Sequence, residues 1–394
     1  MKSQDARATP AAVPFWNDPK KRSLFYQFAT LCLVGLLGYY LFTNTVTNLR
    51  RQNIASGFSF LQKESAFEIG ESVIPYSAAD SYGRALLVGA LNTLKVAFVG
   101  ILITTILGTV IGIARLSSNW LLAKLASVYI EAMQDIPILL HLFFWYAFFY
   151  ESLPSPRQAI CPGAGIYLCN RGVAFTIPEA HPAHKYMLLG FLIACVIVYF
   201  LRRWAKKRQA LTGNYFPVFR VSLALLLGLP FLSWLSFGAP TALNSPKLVG
   251  FNFVGGLTVS PEFIALQLGL VLYTAAFVAE VVRAGIRSVG KGQTEAALSL
   301  GLRPIPILNL VVLPQALRVI IPPLTSQMLN LTKNSSLAVA IGFPDFVSVA
   351  NTTMNQTGQA IEGVALIMAV YLLFSLSTSA FMNWYNKRVA LVER

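Results

Sequence analysis

The chain carries a series of apolar runs separated by polar and basic segments, and most of these runs are long enough to cross a lipid bilayer. A helix needs about 20 mainly apolar residues to span a hydrocarbon core of roughly 30 Å. Backbone polar groups in lipid must bond within their own segment, so each run is expected to be helical. We place eight spans, at residues 25–43, 86–113, 121–149, 186–201, 218–234, 261–282, 319–341 and 361–384. The predicted fold class is an all-α integral membrane protein.

Composition excludes an ordinary soluble globule. Hydrophobic residues make up 55% of the 394 residues and charged residues only 12%, with a mean hydropathy of +0.60. A soluble fold could not bury that much apolar surface. The net charge of +15 would suggest nucleic acid in a soluble chain. Here Lys and Arg fall mostly between apolar runs, where they set orientation in the membrane. We therefore expect no nucleic-acid partner.

The basic residues predict that both termini lie in the cytoplasm. Residues 20–22 are basic and precede the first span, although residues 50–51 are basic on its far side. Basic residues at 202–208 and 387–388 agree with a cytoplasmic placement of those loops. The run at 202–208 could instead bind anionic lipid, which is compatible with the same placement. Residues 1–19 are polar, and the first span lacks a cleavage site, so we expect it to remain as an anchor.

Small residues recur at every fourth position of the second span, at Gly100, Thr104, Gly108 and Gly112. This spacing places them on one helix face. Small side chains let a second helix approach closely. The pattern therefore predicts a helix–helix interface.

The third span holds two acids and a proline, Glu131, Asp135 and Pro137. Carboxylates at this depth are costly unless they are paired or face water. The proline removes a backbone donor and is expected to bend the helix.

A polar loop with a fixed spacing lies between the sixth and seventh spans. It reads Glu295-Ala296-Ala297, then Gly301 after three residues, then Leu313-Pro314. Residues 295–300 favour a helix, and Gly301 can take the left-handed conformation that ends one. A short helix can transmit force only if both its ends are anchored, here by residues 283–287 and by a turn at Leu313-Pro314. The alternative is an ordinary polar loop.

This spacing resembles the EAA loop of permeases in bacterial ABC importers, where it docks a separate ATPase. The flanking segments are similar to the polar amino acid uptake branch, of histidine and glutamine type: Tyr273-Thr-Ala-Ala-Phe-Val-Ala-Glu280, Arg283-Ala-Gly-Ile, Gly292-Gln-Thr-Glu-Ala-Ala, Leu313-Pro-Gln-Ala-Leu and Lys333-Asn-Ser-Ser-Leu. The resemblance covers about residues 82–386. Length and an inserted pair of helices resemble the larger permease subunit of general L-amino acid ABC transporters. At residues 134–137 this branch usually reads Arg, a small or polar residue, Thr and Pro, whereas this chain reads Gln-Asp-Ile-Pro.

The resemblance implies a type I ABC importer transmembrane domain in the bacterial inner membrane. Its expected partners are a second homologous permease, two ATPase subunits and a periplasmic amino-acid-binding protein. The implied ATPase-coupling residues are Glu295, Ala296, Ala297, Gly301, Leu313 and Pro314. ATP and Mg²⁺ would bind the partner ATPase. This chain has no nucleotide site or cofactor of its own, because Gly290-Lys291-Gly292 lacks the upstream glycine and the hydroxyl residue of a phosphate-binding loop.

Three domains are expected along the chain. Residues 1–84 form a cytoplasmic tail, the first helix and an external membrane-hugging segment. Residues 85–386 form the permease domain, in which 151–260 is an insertion of periplasmic loops and two extra helices. Residues 387–394 form a cytoplasmic tail.

Polar side chains in the spans are candidates for a substrate path. Gln327, Asn330 and Asn334 fall at i, i+3 and i+7, with Lys333 beside them, which makes a polar stripe on one helix. An amino acid carries a carboxylate and an ammonium group. Lys333 on one wall and Glu280 on another could compensate both charges.

Three further residues of the sixth span bear on that path. Glu280 and Arg283 share a face near the inner end of the span. Thr274, at mid-span, could line the same path. The competing interpretation is that Glu280 pairs with Arg283 or Lys333 only to hold helices together.

The external loop after the third span contains Cys161 and Cys169. In the periplasm they can form a disulfide or remain two free thiols. His181 and His184 lie nearby, but the spacing lacks a paired Cys-x-x-Cys pattern, and we predict no metal site.

Two other functions remain open at this point. An ion-coupled secondary transporter of a small polar solute would use Glu131 and Asp135 for coupling. A membrane scaffold or signalling protein would use the basic loop at 202–208 as its docking site. No Ser, His and Asp or Cys and His pairing indicates an enzyme.

Overall fold

The computed structural model describes residue 16 and residues 18–51, 57–163 and 165–389. Most of the predicted N-terminal tail and residues 390–394 of the C-terminal tail lie outside these ranges. Twelve α-helices occur in the described ranges: α1 Pro19–Arg51, α2 Tyr82–Ala114, α3 Trp120–Asp135, α4 Ile138–Ala147, α5 Pro182–Thr212, α6 Val218–Ser236, α7 Pro261–Arg287, α8 Lys291–Ser299, α9 Pro304–Ile307, α10 Leu313–Asn334, α11 Phe346–Thr357 and α12 Ala360–Val389.

The predicted spans are confirmed as helices. Among the described residues, seven helical segments are long and apolar enough to cross a membrane, and an eighth is added if the bent pair α3–α4 forms one span. The bend is 101° and lies at Pro137, as the proline predicts. Asn119 caps the start of α3 by accepting hydrogen bonds from the backbone N–H groups of Leu121 and Leu122.

The chain forms two compact units, one of residues 1–90 and 346–373 and the other of residues 91–345 and 374–394. In the first unit, the segment that begins at residue 57 packs with the start of α2 and with α11 around a small core. Its buried members are Phe60, Tyr82, Ala85, Leu86, Phe346, Val349 and Ala350. The Tyr82 hydroxyl donates to Gln356 at 2.9 Å. Residues 342–358, predicted as a short external segment, contain helix α11, because Phe346, Val349, Ala350 and Thr353 give it a buried face.

The second unit is organised around α7, which packs against α3, α4 and α10. Glycines allow the closest approaches. A Cβ at Gly108 of α2 would lie 2.6 Å from Val278, and one at Gly112 would lie 2.6 Å from the Ala279 carbonyl oxygen. The small-residue face predicted for the second span is therefore confirmed as a helix interface.

The predicted insertion at 151–260 contains α5 and α6, which pack against each other, together with eight short strands that the sequence did not indicate. The strands are β1 Ile160–Gly163, β2 Ile166–Cys169, β3 Gly172–Phe175, β4 Ile177–Pro178, β5 Leu243–Asn244, β6 Lys247–Val249, β7 Asn252–Val254 and β8 Leu257–Val259. Four of them form an antiparallel sheet in the order β1-β2-β3-β8. Because β3 pairs with β8, with Val173 opposite Val259, the two ends of the insertion are joined at one sheet.

Candidate functional site

The helix predicted at residues 295–300 is present as α8, which contains Glu295, Ala296 and Ala297. Only three residues separate α8 from the end of α7. Ala297 is buried, whereas Glu295 and Ala296 are exposed. The helix therefore packs Ala297 against its own chain and exposes a polar side that includes Lys291 and Glu295.

Gly301 ends this segment in the left-handed conformation, with φ of +74°. Its N–H donates to the Leu298 carbonyl at 2.8 Å, and the Leu302 N–H donates to the Ala297 carbonyl at 3.2 Å. These bonds satisfy carbonyl groups that the end of a helix leaves free. A residue with a side chain would be strained here, although the surrounding space is open.

The turn predicted at Leu313-Pro314 is wrong. The backbone is helical from Pro304 through Asn334, with a π-helix at Leu308–Val312 between α9 and α10. The π turn ends at Val312, two residues before Pro314. Its wider backbone lets the helix continue through Pro314, which has no N–H to donate. Leu313 and Pro314 thus begin a membrane helix instead of ending a loop.

An ion-pair cluster joins α2 and α7 at the end of α7 that leads to α8. The Glu280 carboxylate accepts hydrogen bonds from Arg283 Nε at 3.1 and 3.0 Å. It also pairs with Arg115, which directly follows α2. Sequence reasoning found Glu280 and Arg283 through their spacing but missed Arg115, since it lies 165 residues away. This geometry supports the interpretation that Glu280 holds helices together.

The structure does not bring Lys333 and Glu280 to one cavity. Helices α7 and α10 run antiparallel: Gly285 meets Ile320 near one end, and Gly100 meets both Leu331 and Gln267 near the other. Glu280 is therefore 13 residues, about 20 Å of helix, from Gln267, which lies at the level of Leu331, and Lys333 lies two residues beyond Leu331. Glu280 and Lys333 thus lie at different levels along the two helices in this conformation.

The polar stripe on α10 is present but rotated from its predicted position. The exposed polar positions are Ser326, Asn330 and Lys333, and Gln327 and Asn334 are half-buried beside them. Ser326 was missed, although it falls four residues before Asn330. An exposed polar stripe on a membrane helix is costly against lipid, so it must meet water or a partner chain.

Thr274 does not lie on that stripe. Its side chain is buried in α7, and its hydroxyl oxygen has no hydrogen-bond partner among the described residues.

Glu131 and Asp135 are exposed, one helical turn apart on α3, just before the bend at Pro137. Neither forms an ion pair with a residue in the described part of the chain. Like the α10 stripe, these two carboxylates are polar groups that the described part of the chain leaves exposed on a membrane helix.

The disulfide considered for Cys161 and Cys169 is not formed. Both thiols are free, Cys161 is exposed, and the buried Cys169 lies 3.6 Å from the Gly172 carbonyl oxygen. The two residues lie on neighbouring strands, but Ile160 pairs with Leu168, so Cys161 and Cys169 are out of register. His181 caps α5 by accepting the Ala183 N–H. In the described ranges, no three His, Cys, Asp or Glu side chains come together as metal ligands.

Known proteins are similar to this chain over most of its length. The family model described as "Binding-protein-dependent transport system inner membrane component" matches residues 100–391. The chain is 52% identical to the general L-amino acid transport system permease protein AapQ of Rhizobium johnstonii, over 96% of this chain and 94% of that protein. It is 48% identical to the putative amino-acid ABC transporter permease protein YhdX of Escherichia coli, over 97% and 98% of the two chains.

A solved structure, the crystal structure of an amino acid ABC transporter with histidines, shares 21% identity at a TM-score of 0.46. The match covers 78% of this chain and 95% of that one.

Proposed function

This chain belongs to the family of binding-protein-dependent transport system inner membrane components, and from that premise we propose that it is the permease subunit of an ATP-driven importer of L-amino acids in the bacterial inner membrane. The relatives that match nearly its whole length are named as permeases of amino acid transport systems. Family membership favours this function over an ion-coupled transporter or a scaffold.

The importer would contain this chain, a second homologous permease, two ATPase subunits and a periplasmic amino-acid-binding protein. The ATPases would bind ATP and Mg²⁺. Helix α8 supports this arrangement most directly, because it is a short helix with an exposed polar side, and both of its ends connect to membrane helices. Closure of the ATPases around ATP would move α8 and, through three connecting residues, α7.

The Glu280 cluster would carry this movement to a second helix. Glu280 on α7 holds Arg115 at the end of α2, so a displacement of α7 also pulls on α2. Helices that rock together in this way can alternate between outward and inward access. Glu280 and Arg283 thus serve in coupling instead of in substrate contact.

The substrate path would run along the exposed stripe of α10. Ser326 and Asn330 offer hydrogen bonds, and Lys333 offers a positive charge to a carboxylate. The second permease would close the path from the opposite side, which explains why polar groups are left uncovered on this chain alone. The roles of Gln327 and Asn334, beside the stripe, would be secondary.

Gly301→Val tests the coupling helix. Because Gly301 has φ of +74°, a β-branched residue must distort the turn. We expect the ATPase subunits to be lost on co-purification and transport to fall at least about tenfold, with membrane insertion unchanged. Gly228→Val in α6 is the matched control, since Gly228 has open space and an ordinary φ and lies outside α8. Full transport by Gly301→Val would contradict the proposal.

Lys333→Ala tests the path separately. The importer should still assemble, but stimulation of its ATP hydrolysis by amino-acid-loaded binding protein should fall, and Lys333→Arg should restore most of it because the charge is kept. If Lys333→Ala is stimulated like the wild type, Lys333 is not a path residue.

A further inference from the structure

An exposed basic surface lies at the C-terminal end of α5 and the start of α6. The proposed transport function does not use it. Its cations are Arg202, Arg203, Lys206, Lys207, Arg208 and Arg220. All six are exposed. We call this set the basic end of the α5–α6 hairpin.

No acidic group compensates this charge. The sequence contains no Asp or Glu between Glu179 and Glu262, so the hairpin has no internal acid. None of the six cations forms an ion pair with a residue that the structure describes. Two of them instead lie over aromatic rings, Arg203 over Tyr199 and Arg208 over Trp204. The charge is therefore available to a ligand outside this chain.

Helix length places the basic end at the membrane surface. Helix α5 has 31 residues, which corresponds to about 46 Å of helix. The 20 residues from Pro182 to Leu201 are enough to cross the hydrocarbon. The segment from Arg202 to Thr212 then extends about 16 Å further, through the layer of lipid headgroups.

The packing of the hairpin brings both helices to this same level. Gly190 meets Ser233 and Leu229 across the α5–α6 interface, and Trp204 packs on Phe216 at 5.3 Å. This register sets Arg220 of α6 beside Leu201 of α5. Arg202, Arg203 and Arg220 therefore lie at one depth, and Lys206, Lys207 and Arg208 follow about one turn beyond.

Exposed aromatic and aliphatic side chains accompany the cations. Tyr215 is 77% exposed, Phe219 is 74% exposed and Leu211 is 76% exposed. Large apolar side chains beside Lys and Arg are typical of residues at a membrane–water interface. An acidic soluble partner would match the charge but would not account for these side chains at this depth.

We propose that the basic end of the α5–α6 hairpin binds the headgroups of anionic phospholipids in the cytoplasmic leaflet. The phosphate groups accept hydrogen bonds from the arginines and lysines, and the acyl chains lie along the exposed apolar faces of α5 and α6 above them. The proposal rests on the orientation given above and does not depend on which solute is transported.

The variant Lys206→Gln/Lys207→Gln/Arg208→Gln tests this proposal. It leaves Arg202, Arg203 and Arg220 to preserve the orientation of the hairpin. The full-length protein, with whatever subunits co-purify, is titrated in neutral detergent with phosphatidylglycerol or phosphatidylcholine, and bound lipids are counted by native mass spectrometry. We expect affinity for phosphatidylglycerol to fall at least about tenfold, and binding of phosphatidylcholine to stay unchanged.

The charge-preserving variant Lys206→Arg/Lys207→Arg/Arg208→Lys is the matched control and should bind phosphatidylglycerol like the wild type. Unchanged phosphatidylglycerol binding by the neutralised variant would overturn the proposal. Loss of a protein subunit from that variant, with lipid binding intact, would assign the surface to an acidic protein instead. Because lipid binding is counted without ATP or substrate, a failure of the transport function would not be mistaken for a failure of this one.

Discussion

Helix α7 and the two helices of the α5–α6 hairpin are all long and apolar enough to span a membrane. They differ in how much of their surface is covered by the rest of the chain. In the most apolar stretch of each helix, 61% of the α7 residues are buried, compared with 17% of the α5 residues and 6% of the α6 residues. Helix α7 contacts α3, α4 and α10, whereas α5 and α6 contact chiefly each other. Hydropathy therefore identifies a span but does not show whether protein or lipid surrounds it.

The helices differ in the number of small residues that are buried. The buried positions of α7 include Ala265, Gly269, Ala275, Ala276, Ala279 and Gly285. Neighbouring backbones can approach α7 along its whole length because these side chains leave room. In the hairpin, the buried small residues are fewer: Ala183, Gly190, Ala194 and Ala205 of α5 and Ser222 of α6. Changes of equal size should consequently cost much more around α7 than in the hairpin.

Gly108→Leu should have the largest effect on stability. Its new side chain would begin 2.6 Å from Val278 and 2.9 Å from the Ala275 carbonyl oxygen. Overpacking a tight interface of this kind costs about 3 kcal/mol, measured as a lower midpoint of thermal unfolding in detergent. Gly228→Leu in α6 is the control, because no atom lies within 4 Å of a Cβ there. Equal midpoints for the two variants would remove the contrast between the regions.

Breaking the Glu280 cluster should have a smaller effect than Gly108→Leu. In a double-mutant cycle of Arg115→Gln and Glu280→Gln, we expect a coupling energy of about 1 kcal/mol, because both groups are only partly exposed and the carboxylate holds two arginines. Denaturant titration of the four variants gives this value.

The pair formed by Asp18, directly before α1, and Lys21 is the comparison for that cycle, because its charged atoms are 3.9 Å apart and Asp18 holds no second cation among the described residues. Its coupling should be close to zero. If the two cycles give the same energy, the Glu280 cluster does not link α2 to α7.

Gly172→Ala tests whether the pairing of β3 with β8 holds the two ends of the insertion together. Gly172 has φ of +107°, and a Cβ would lie 2.0 Å from the Val259 carbonyl oxygen on β8. Gly163→Ala shares the positive φ, of +119°, but meets nothing within 4 Å. Gly172→Ala should therefore cost about 2 kcal/mol more than Gly163→Ala and expose residues 151–181 to protease. Equal protease resistance would show that β3 and β8 separate freely.

Tyr186→Ala should have the smallest effect and should stay local to the hairpin. The Tyr186 ring stacks on Phe237 with centroids 3.9 Å apart. Its loss should cost about 1 kcal/mol in thermal stability and leave transport unchanged. Tyr39→Ala, at an exposed site of α1, controls for removal of an aromatic ring. A loss of transport with Tyr186→Ala would mean that the hairpin takes part in the rocking of α7.

Local signals in the sequence predicted the local features of the site. The helix through Glu295 and its end at Gly301 depend only on helix propensity and on the freedom of glycine at positive φ, so both were predictable. The pairing of Glu280 with Arg283 follows from their spacing on one helix. The bend at Pro137 follows from a missing backbone donor.

Long-range features were not predictable in this way. Arg115 reaches Glu280 only because α2 packs on α7, and Lys333 lies far from Glu280 only because α7 and α10 run antiparallel. The strands of the insertion are two to four residues long, too short to carry an alternating pattern. The helix through Leu313-Pro314 was missed because a π turn compensates for the proline.

By itself, the sequence determined that this is a helical membrane protein with a short helix that ends near Gly301 and a polar stripe on a later helix, because hydropathy, helical spacing and glycine conformation are properties of short segments. The tertiary structure alone decided which charges meet, which face of α10 stays uncovered and which apolar helices pack against protein. Those outcomes depend on the register and direction in which distant helices pack, and no short segment carries that information.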